Sequence, residues 1–195
     1  MRRSNPIVII FGAGIIVILG LLAWRYLIAN REVTPSSEEV AQQTNDSNFA
    51  SYSSSGELKA GDSAPNFNLF DFTGELVTLS QAVQNQPVVL TFWSAKCEVC
   101  KTELVKLNEL AGDNKDKVKF YGINRADEPE SARDFVARLT VAFPTLWNPD
   151  DSAAQNFKVG AMPETFVIGR DLKIKAVFRG PVSKKDLSRE IKKVI

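Results

Sequence analysis

The hydrophobic and polar positions divide this chain of 195 residues into three stretches. Residues 7–28 are almost continuously apolar, with Arg25 as the one charged interruption. Residues 29–56 are rich in Ser, Glu, Gln and Asn and offer few side chains to bury. From residue 57 onward, apolar runs of strand length alternate with segments of helical periodicity. The pattern predicts an apolar N-terminal segment, a flexible linker over residues 29–56 and one folded domain over residues 57–195.

The apolar segment at residues 7–28 has the length of a membrane-spanning helix, which needs about 20 residues. A cleaved secretory signal is the alternative. Such signals have shorter apolar cores and end at a small-x-small cleavage site, and no clear site of that kind follows here. We therefore expect an uncleaved, single-pass anchor in the cell membrane, with residues 1–6 as a cytoplasmic tail and the folded domain outside the cytoplasm.

Within residues 57–195, the periodicity predicts strands that alternate with helices. A β-hairpin is expected from residues 64–70 and 75–79, and Val88–Trp93 is apolar on both faces, as a central strand covered by helices would be. The other predicted elements are helices at residues 97–111 (ending at Gly112), 129–139 and 150–157, strands at residues 118–123, 165–168 and 174–178, and a last helix capped by Ser183. This order indicates an α/β sheet of mixed direction.

The candidate chemistry lies where the central strand meets the first long helix. Cys97 and Cys100 form a Cys-x-x-Cys motif there, and the two intervening residues let both sulfur atoms reach one disulfide bond. Unpaired backbone N–H groups at the helix start favour the thiolate of Cys97, which is the form that attacks disulfides. The context predicts a thiol–disulfide redox site, with a structural disulfide or a chance pair as the alternatives.

Composition narrows the chemistry further. The chain has two cysteines and no histidine, which nearly excludes a closed four-ligand zinc site within one chain and removes the usual general base. With 24 basic and 23 acidic residues, the net charge of +1 gives no sign of nucleic-acid binding. We therefore expect thiol chemistry that needs no metal and no bound cofactor.

Four local motifs together resemble the membrane-anchored, thioredoxin-like proteins ResA, TlpA and DsbE (also called CcmG). The motifs are Ala64-Pro65-Asn66-Phe67-Asn68-Leu69 with Gly74, Phe92-Trp93 before Cys97-x-x-Cys100, Glu103 three residues later, and Gly160-Ala161-Met162-Pro163-Glu164-Thr165-Phe166-Val167-Ile168. The resemblance implies a thioredoxin-like α/β fold, in which helices flank a mixed central sheet and an N-terminal β-hairpin is added. A single transmembrane helix would precede this fold.

The resemblance also implies roles for individual residues. Cys97 and Cys100 are the catalytic pair and form the redox-active disulfide, with Cys97 as the attacking sulfur. Glu103 is expected to be a partly buried carboxylate that exchanges a proton with Cys100. Pro163 matches the family's cis-proline, and the backbone of Met162 beside it is expected to pair with the partner chain as a short strand.

Two residues that flank the motif are further candidates for substrate binding. Lys96 stands where thioredoxin-like proteins usually carry an aromatic residue, and its charge favours the Cys97 thiolate. Trp93 is the other candidate, although its position at the end of the central strand favours the core over a substrate contact. Thr91 occupies the position of the buried aspartate of ordinary thioredoxin, so a proton acceptor near Cys100 has to be another group.

The resemblance implies an enzyme that reduces disulfides of partner proteins. The implied substrate is the Cys-x-x-Cys-His site of apocytochrome c, which is reduced before haem attachment, and a transmembrane thiol reductase would supply electrons. A general disulfide oxidase or isomerase would share every motif, because the reduction potential sets the direction. A peroxiredoxin-like peroxidase using Ser94-x-x-Cys97 is a further alternative, whereas a copper chaperone would lack the histidine and methionine ligands it needs.

Overall fold

The computed structural model describes residues 56–195. The predicted anchor at residues 7–28 and nearly all of the predicted linker lie outside these residues. Between residues 56 and 195, no helix combines the length and the hydropathy that crossing a membrane requires.

The predicted N-terminal hairpin is formed by β1 (Asn68–Phe70) and β2 (Leu76–Thr78), which pair antiparallel. Asp71 organises the turn, since its Oδ1 accepts hydrogen bonds from the Thr73 N–H (2.8 Å), the Thr73 hydroxyl (2.7 Å) and the Glu75 N–H (2.9 Å). Gly74 has a φ of 92°, which glycine adopts without strain. Turn chemistry close in sequence therefore explains this hairpin.

A five-stranded sheet lies at the centre of the described part. Its strands are β3 (Val88–Trp93), β4 (Lys119–Arg125), β5 (Thr145–Asn148), β6 (Glu164–Ile168) and β7 (Ile174–Arg179). The spatial order is β5-β4-β3-β6-β7, with β3, β4 and β5 parallel and β6 antiparallel to both β3 and β7. All six residues of β3 are buried. The predicted mixed sheet and its buried central strand are confirmed.

Helices cover both faces of this sheet. They are α1 (Leu79–Asn85), α2 (Glu98–Asn114), α3 (Pro129–Arg138), α4 (Ser152–Asn156) and α5 (Lys184–Lys192). Because side chains alternate along a strand, Leu90 and Phe92 of β3 pack with the hairpin, α1 and α4 on one face. Val89 and Trp93 pack with α2, α3 and α5 on the other face. Two hydrophobic clusters, one on each face, thus hold β3 in place.

The last helix begins as predicted. The Ser183 hydroxyl accepts a hydrogen bond from the Asp186 N–H at 3.0 Å, which satisfies a backbone donor of the first turn of α5. Leu187 and Ile191, one turn apart, are completely buried. The cap expected from the sequence is confirmed, and Leu187 and Ile191 form the buried face of α5.

The long helix after the cysteines does not end at Gly112, as predicted, but continues to Asn114. Gly112 is exposed, and one glycine in a helix costs only about 1 kcal/mol. Leu104, Leu107 and Leu110 anchor the preceding turns in the core, and their burial outweighs that cost.

Two elements have no counterpart among the predictions. β5 has only four residues and no apolar alternation, and it is a strand because it pairs with β4, with Thr145 opposite Gly122. α1 begins at Leu79, which the sequence pattern places at the end of the hairpin, and Ala82 and Val83 bury its inner face. Both elements depend on neighbours that are distant in the sequence.

Candidate active site

The two cysteines lie at the junction of β3 and α2. Cys97 is the N-cap of α2, and its backbone N–H donates to the Ser94 carbonyl at 3.1 Å. A disulfide joins Cys97 to Cys100, whose Cα atoms are 5.3 Å apart. Cys100 is completely buried, whereas Cys97 is partly exposed. The predicted pairing is confirmed, and a partner can approach the disulfide from the side of Cys97.

The loop before β6 lies beside this junction. Glu164 is opposite Phe92 in the antiparallel pairing of β6 with β3, so the residues just before Glu164 lie at the same end of the sheet as the cysteine loop. The Met162–Pro163 peptide bond is cis, as predicted, and the Pro163 carbonyl accepts a hydrogen bond from the Gly180 N–H at 2.8 Å. Within residues 56–195, the Met162 backbone forms no hydrogen bond. Its N–H and C=O are therefore available to an extended partner segment.

The two residues that flank the motif differ in accessibility. Lys96 is exposed immediately before Cys97, as a contact to a partner requires. Trp93 is completely buried, and its indole stacks on the Phe135 ring with 5.4 Å between centroids. Trp93 thus belongs to the core between β3 and α3 and offers no surface to a partner, which corrects its assignment as a substrate-binding residue.

Glu103 is buried more completely than predicted, with 1% of its surface exposed. Its Oε2 lies 2.8 Å from the Lys106 Nζ, and its Oε1 accepts a hydrogen bond from the Val182 N–H at 3.3 Å. The Lys106 ammonium also donates to the Val182 carbonyl. The carboxylate therefore ties α2 to the segment before α5, and proton exchange with Cys100 stays a prediction.

A second buried carboxylate, Asp127, has no role in the sequence analysis. It lies just after β4 and accepts hydrogen bonds from the Ser94 hydroxyl (2.9 Å), from the Ala95 N–H and from the Asn124 side-chain amide (2.8 Å). The sequence feature that could have identified Asp127 is its position just after a predicted strand, because the carboxyl ends of neighbouring parallel strands meet at one edge of a sheet. The redox loop is thus held from β4 as well as from β3.

A third buried carboxylate, Glu164, directly follows Pro163 and is 1% exposed. It accepts a hydrogen bond from the Gly160 N–H at 3.2 Å, and its Oε1 lies 3.4 Å from the Arg179 Nε. Burial raises the pKa of Glu164, while the Gly160 N–H and Arg179 act in the opposite direction. The side chain fixes the loop that leads into the cis peptide bond.

Comparisons with known proteins agree with this geometry. A profile of the AhpC/TSA family matches residues 60–177, more than half of the chain. The chain belongs to the AhpC/TSA family. The thiol-disulfide oxidoreductase ResA of Geobacillus kaustophilus is 28% identical over 138 residues, which are 70% of this chain and 79% of ResA.

Two solved structures are similar to this AhpC/TSA chain over most of their own length. A Chlorobium tepidum protein assigned as the thiol:disulfide interchange protein DsbE has a TM-score of 0.66 and 26% identity, over 71% of this chain and 99% of that one. Peroxidoxin BcpB from Mycobacterium tuberculosis has a TM-score of 0.61 and 25% identity, over 71% and 97% of the two chains. ResA and the DsbE structure identify this family member as a thiol–disulfide oxidoreductase of the ResA/DsbE type, and both solved structures share its thioredoxin-like fold.

The arrangement suits disulfide exchange. An accessible sulfur at a helix start is a good nucleophile, and a buried second sulfur three residues later can displace whatever becomes bound to the first. Between residues 56 and 195, no group of three or more Cys, Asp or Glu side chains is placed to hold a metal ion. The accessible Cys97 sulfur and the buried Cys100 sulfur are the reactive atoms that this arrangement provides.

Proposed function

We propose that this protein is a membrane-anchored, extracytoplasmic oxidoreductase that reduces disulfides of partner proteins, with apocytochrome c as its substrate during cytochrome c maturation. The observation that carries the proposal is the asymmetry of the redox pair, in which Cys97 is accessible and Cys100 is buried. The resemblance of Pro163-Glu164-Thr165-Phe166 to DsbE supports the choice of substrate, and the apolar segment at residues 7–28 supports the anchor.

The reaction starts from the dithiol form. The Cys97 thiolate attacks one sulfur of the partner disulfide, which forms a mixed disulfide and releases the other partner sulfur as a thiolate. The Cys100 thiolate then attacks the Cys97 sulfur, which forms the Cys97–Cys100 disulfide and releases the second partner sulfur. Two electrons pass to the partner, and the two dithiol protons end on its thiols. A transmembrane thiol reductase then returns two electrons to the enzyme.

The partner is expected to bind beside the cis peptide bond. The Met162 backbone groups would pair with an extended substrate segment, which aligns the substrate disulfide with Cys97. Lys96, exposed next to Cys97, adds a positive charge that favours the attacking thiolate.

Trapping the mixed disulfide tests this function. Reduced Cys100→Ala, mixed with an oxidised peptide that carries Cys-x-x-Cys-His, should accumulate a covalent adduct on Cys97 because the resolving thiol is missing. Cys97→Ala is the matched control and should form little adduct, since Cys100 is buried. An adduct confined to Cys97→Ala would reverse the two roles, and wild-type protein that leaves the peptide oxidised would refute the proposed reduction.

Peroxide reduction is the second candidate, favoured by the similarity to peroxidoxin BcpB. Its proposed pocket would use Ser94 beside Cys97. The Ser94 hydroxyl is already engaged, however, because it donates to Asp127 and accepts from the Lys96 N–H at 3.1 Å. Consumption of hydrogen peroxide by the reduced protein, compared with reduction of the peptide disulfide, separates the two activities. Faster turnover of peroxide than of the peptide would favour the peroxidase.

The anchor and the orientation have their own test. Protease added to intact spheroplasts should remove the domain from residue 57 onward, because we place it outside the cytoplasm. Spheroplasts opened with detergent are the positive control for cleavage. Full protection in intact spheroplasts would refute the orientation and leave the redox assignment unaffected.

A further inference from the structure

The buried carboxylate of Asp127 lies beneath the loop that carries the redox pair and is 5% exposed. Its Oδ1 accepts from the Ser94 hydroxyl, and its Oδ2 accepts from the Ala95 N–H and from the Asn124 amide. Three donors directed at two oxygens are the pattern of an ionised carboxylate, which accepts hydrogen bonds and donates none. Strong hydrogen bonds to a buried charge thus connect β4 to the loop after β3.

The carboxylate itself is held in place from β4. Asn124 is completely buried, and its Oδ1 accepts a hydrogen bond from the Asp127 N–H at 3.2 Å. Ala126 between them has a φ of 50°, in the left-handed region that is unfavourable for a residue with a side chain. The hydrogen bonds of this turn offset that cost. Asp127 therefore presents a fixed charge to the loop.

From Ser94 the contacts continue to the attacking cysteine. The Ser94 hydroxyl accepts from the Lys96 N–H at 3.1 Å, and the Ser94 carbonyl accepts from the Cys97 N–H at 3.1 Å. These bonds fix the backbone of the residues between β3 and α2, and with it the position of Cys97 at the N-cap. Each contact from Asp127 through Ser94 to Cys97 is a direct hydrogen bond.

We propose that Asp127 is a positioning residue of the redox pair and stabilises its disulfide form relative to the dithiol. This inference rests on the proposed thiol–disulfide exchange and names Asp127 as a group that shifts the equilibrium between the disulfide and the dithiol. The described structure contains the disulfide, and the network fixes the loop in the conformation that it has together with this disulfide. Loosening the loop should therefore weaken the disulfide form more than the dithiol form.

The charge of Asp127 acts in the same direction. The buried negative charge of Asp127, bound to the N–H of Ala95 two residues before Cys97, disfavours a second negative charge on the Cys97 sulfur, which makes the dithiol form less favourable. Unlike Asp127, the other charged side chains beside the loop lie at the surface. Lys96 is exposed, and Glu98 forms an exposed ion pair with Lys101. Removing the charge of Asp127 should stabilise the reduced state.

Two substitutions separate these effects. Asp127→Asn removes the charge and directs an NH₂ group at one of the three hydrogen-bond donors around the carboxylate. The equilibrium constant with dithiothreitol should therefore move about tenfold toward the protein dithiol, which corresponds to a change of about 30 mV in the reduction potential. Ser94→Ala keeps the charge and loses one hydroxyl, so a shift of about threefold in the same direction is expected. Because both residues belong to one network, the double variant should shift by less than the product of the two factors.

Glu128→Gln is the matched control, since it makes the same charge change at the adjacent, exposed position and should stay within about twofold of wild type. A residue that only stabilised the fold would lower the melting temperature of both redox forms equally and leave the equilibrium constant unchanged. Such a result for Ser94→Ala, or for Asp127→Asn if it folds, would overturn the inference. Wild-type protein that does not equilibrate with dithiothreitol at all would instead refute the proposed function.

Discussion

Replacing Glu103 by Gln tests the buried ion pair that joins α2 to the segment before α5. The amide keeps the size of the side chain and can still accept the hydrogen bond from the Val182 N–H. It removes the negative charge that lies 2.8 Å from the Lys106 Nζ. The substitution therefore isolates the charge of Glu103 from its shape.

The expected loss follows from how deeply the pair is buried. Removing one partner of a fully buried pair costs about 3–5 kcal/mol, whereas an exposed pair contributes about 0–1 kcal/mol. The Glu103 side chain is 1% exposed, but that of Lys106 is 24% exposed and can still reach water. We therefore expect the free energy of unfolding to fall by about 2 kcal/mol, between the two limits. For a domain of this size, that corresponds to a melting temperature lower by about 6 °C.

Urea unfolding of the oxidised protein at pH 7 measures this loss. Glu109→Gln is the matched control on the same helix, because its partner Lys184 lies 3.2 Å away in an exposed pair, and it should lose less than about 1 kcal/mol. Equal, small losses in the two variants would refute the argument from burial.

The same variant tests the predicted proton exchange between Glu103 and Cys100. If that exchange occurs, Glu103→Gln should shift the pH dependence of Cys97–Cys100 reactivity and slow the reduction of a partner, while the disulfide still forms. An unchanged pH profile would leave Glu103 with the structural role that its contacts show.

Three further substitutions test the fold, and a fourth serves as a control. Burial raises the pKa of Glu164 in the folded protein above its ordinary value of 4.5. Protonation of Glu164 therefore stabilises the fold at pH values below 4.5, and this contribution is lost as the pH rises through the folded pKa. The free energy of unfolding of Glu164→Gln, measured across this range, should lack that pH-dependent loss, and an unchanged slope would contradict the assignment. Gly122→Ala should cost about 1–3 kcal/mol, because a Cβ there would lie 2.8 Å from the Trp93 Nε1, and wild-type stability would contradict that packing. Phe157→Ala should lower the free energy of unfolding by about 3–5 kcal/mol, because its ring contacts three other buried phenylalanine rings. Removing the exposed ring of Phe70 is the control and should lower it by less than about 0.5 kcal/mol in the same urea titration.

The strand, turn and helix around Cys97 are determined by residues that are adjacent in the chain. Six consecutive buried residues form β3, and the two cysteines follow within one turn of helix, so hydrophobic pattern and spacing suffice to predict the redox pair. The hairpin turn at Asp71–Gly74 and the Ser183 cap are local in the same sense. The cis bond at Pro163 was predictable only by resemblance, because most X–Pro bonds in folded proteins are trans.

Tertiary structure alone decided which polar and aromatic residues enter the site. Asp127 stands between a predicted strand and a predicted helix, in a segment with no predicted role, and it is buried because β4 lies beside β3 and brings it beneath Ser94. Trp93 ends the strand that leads into the motif, yet the pleat of β3 turns its indole toward Phe135 and away from a partner. The physical reason is that burial and hydrogen bonding of a side chain depend on neighbours from distant elements, which periodicity along one segment does not specify.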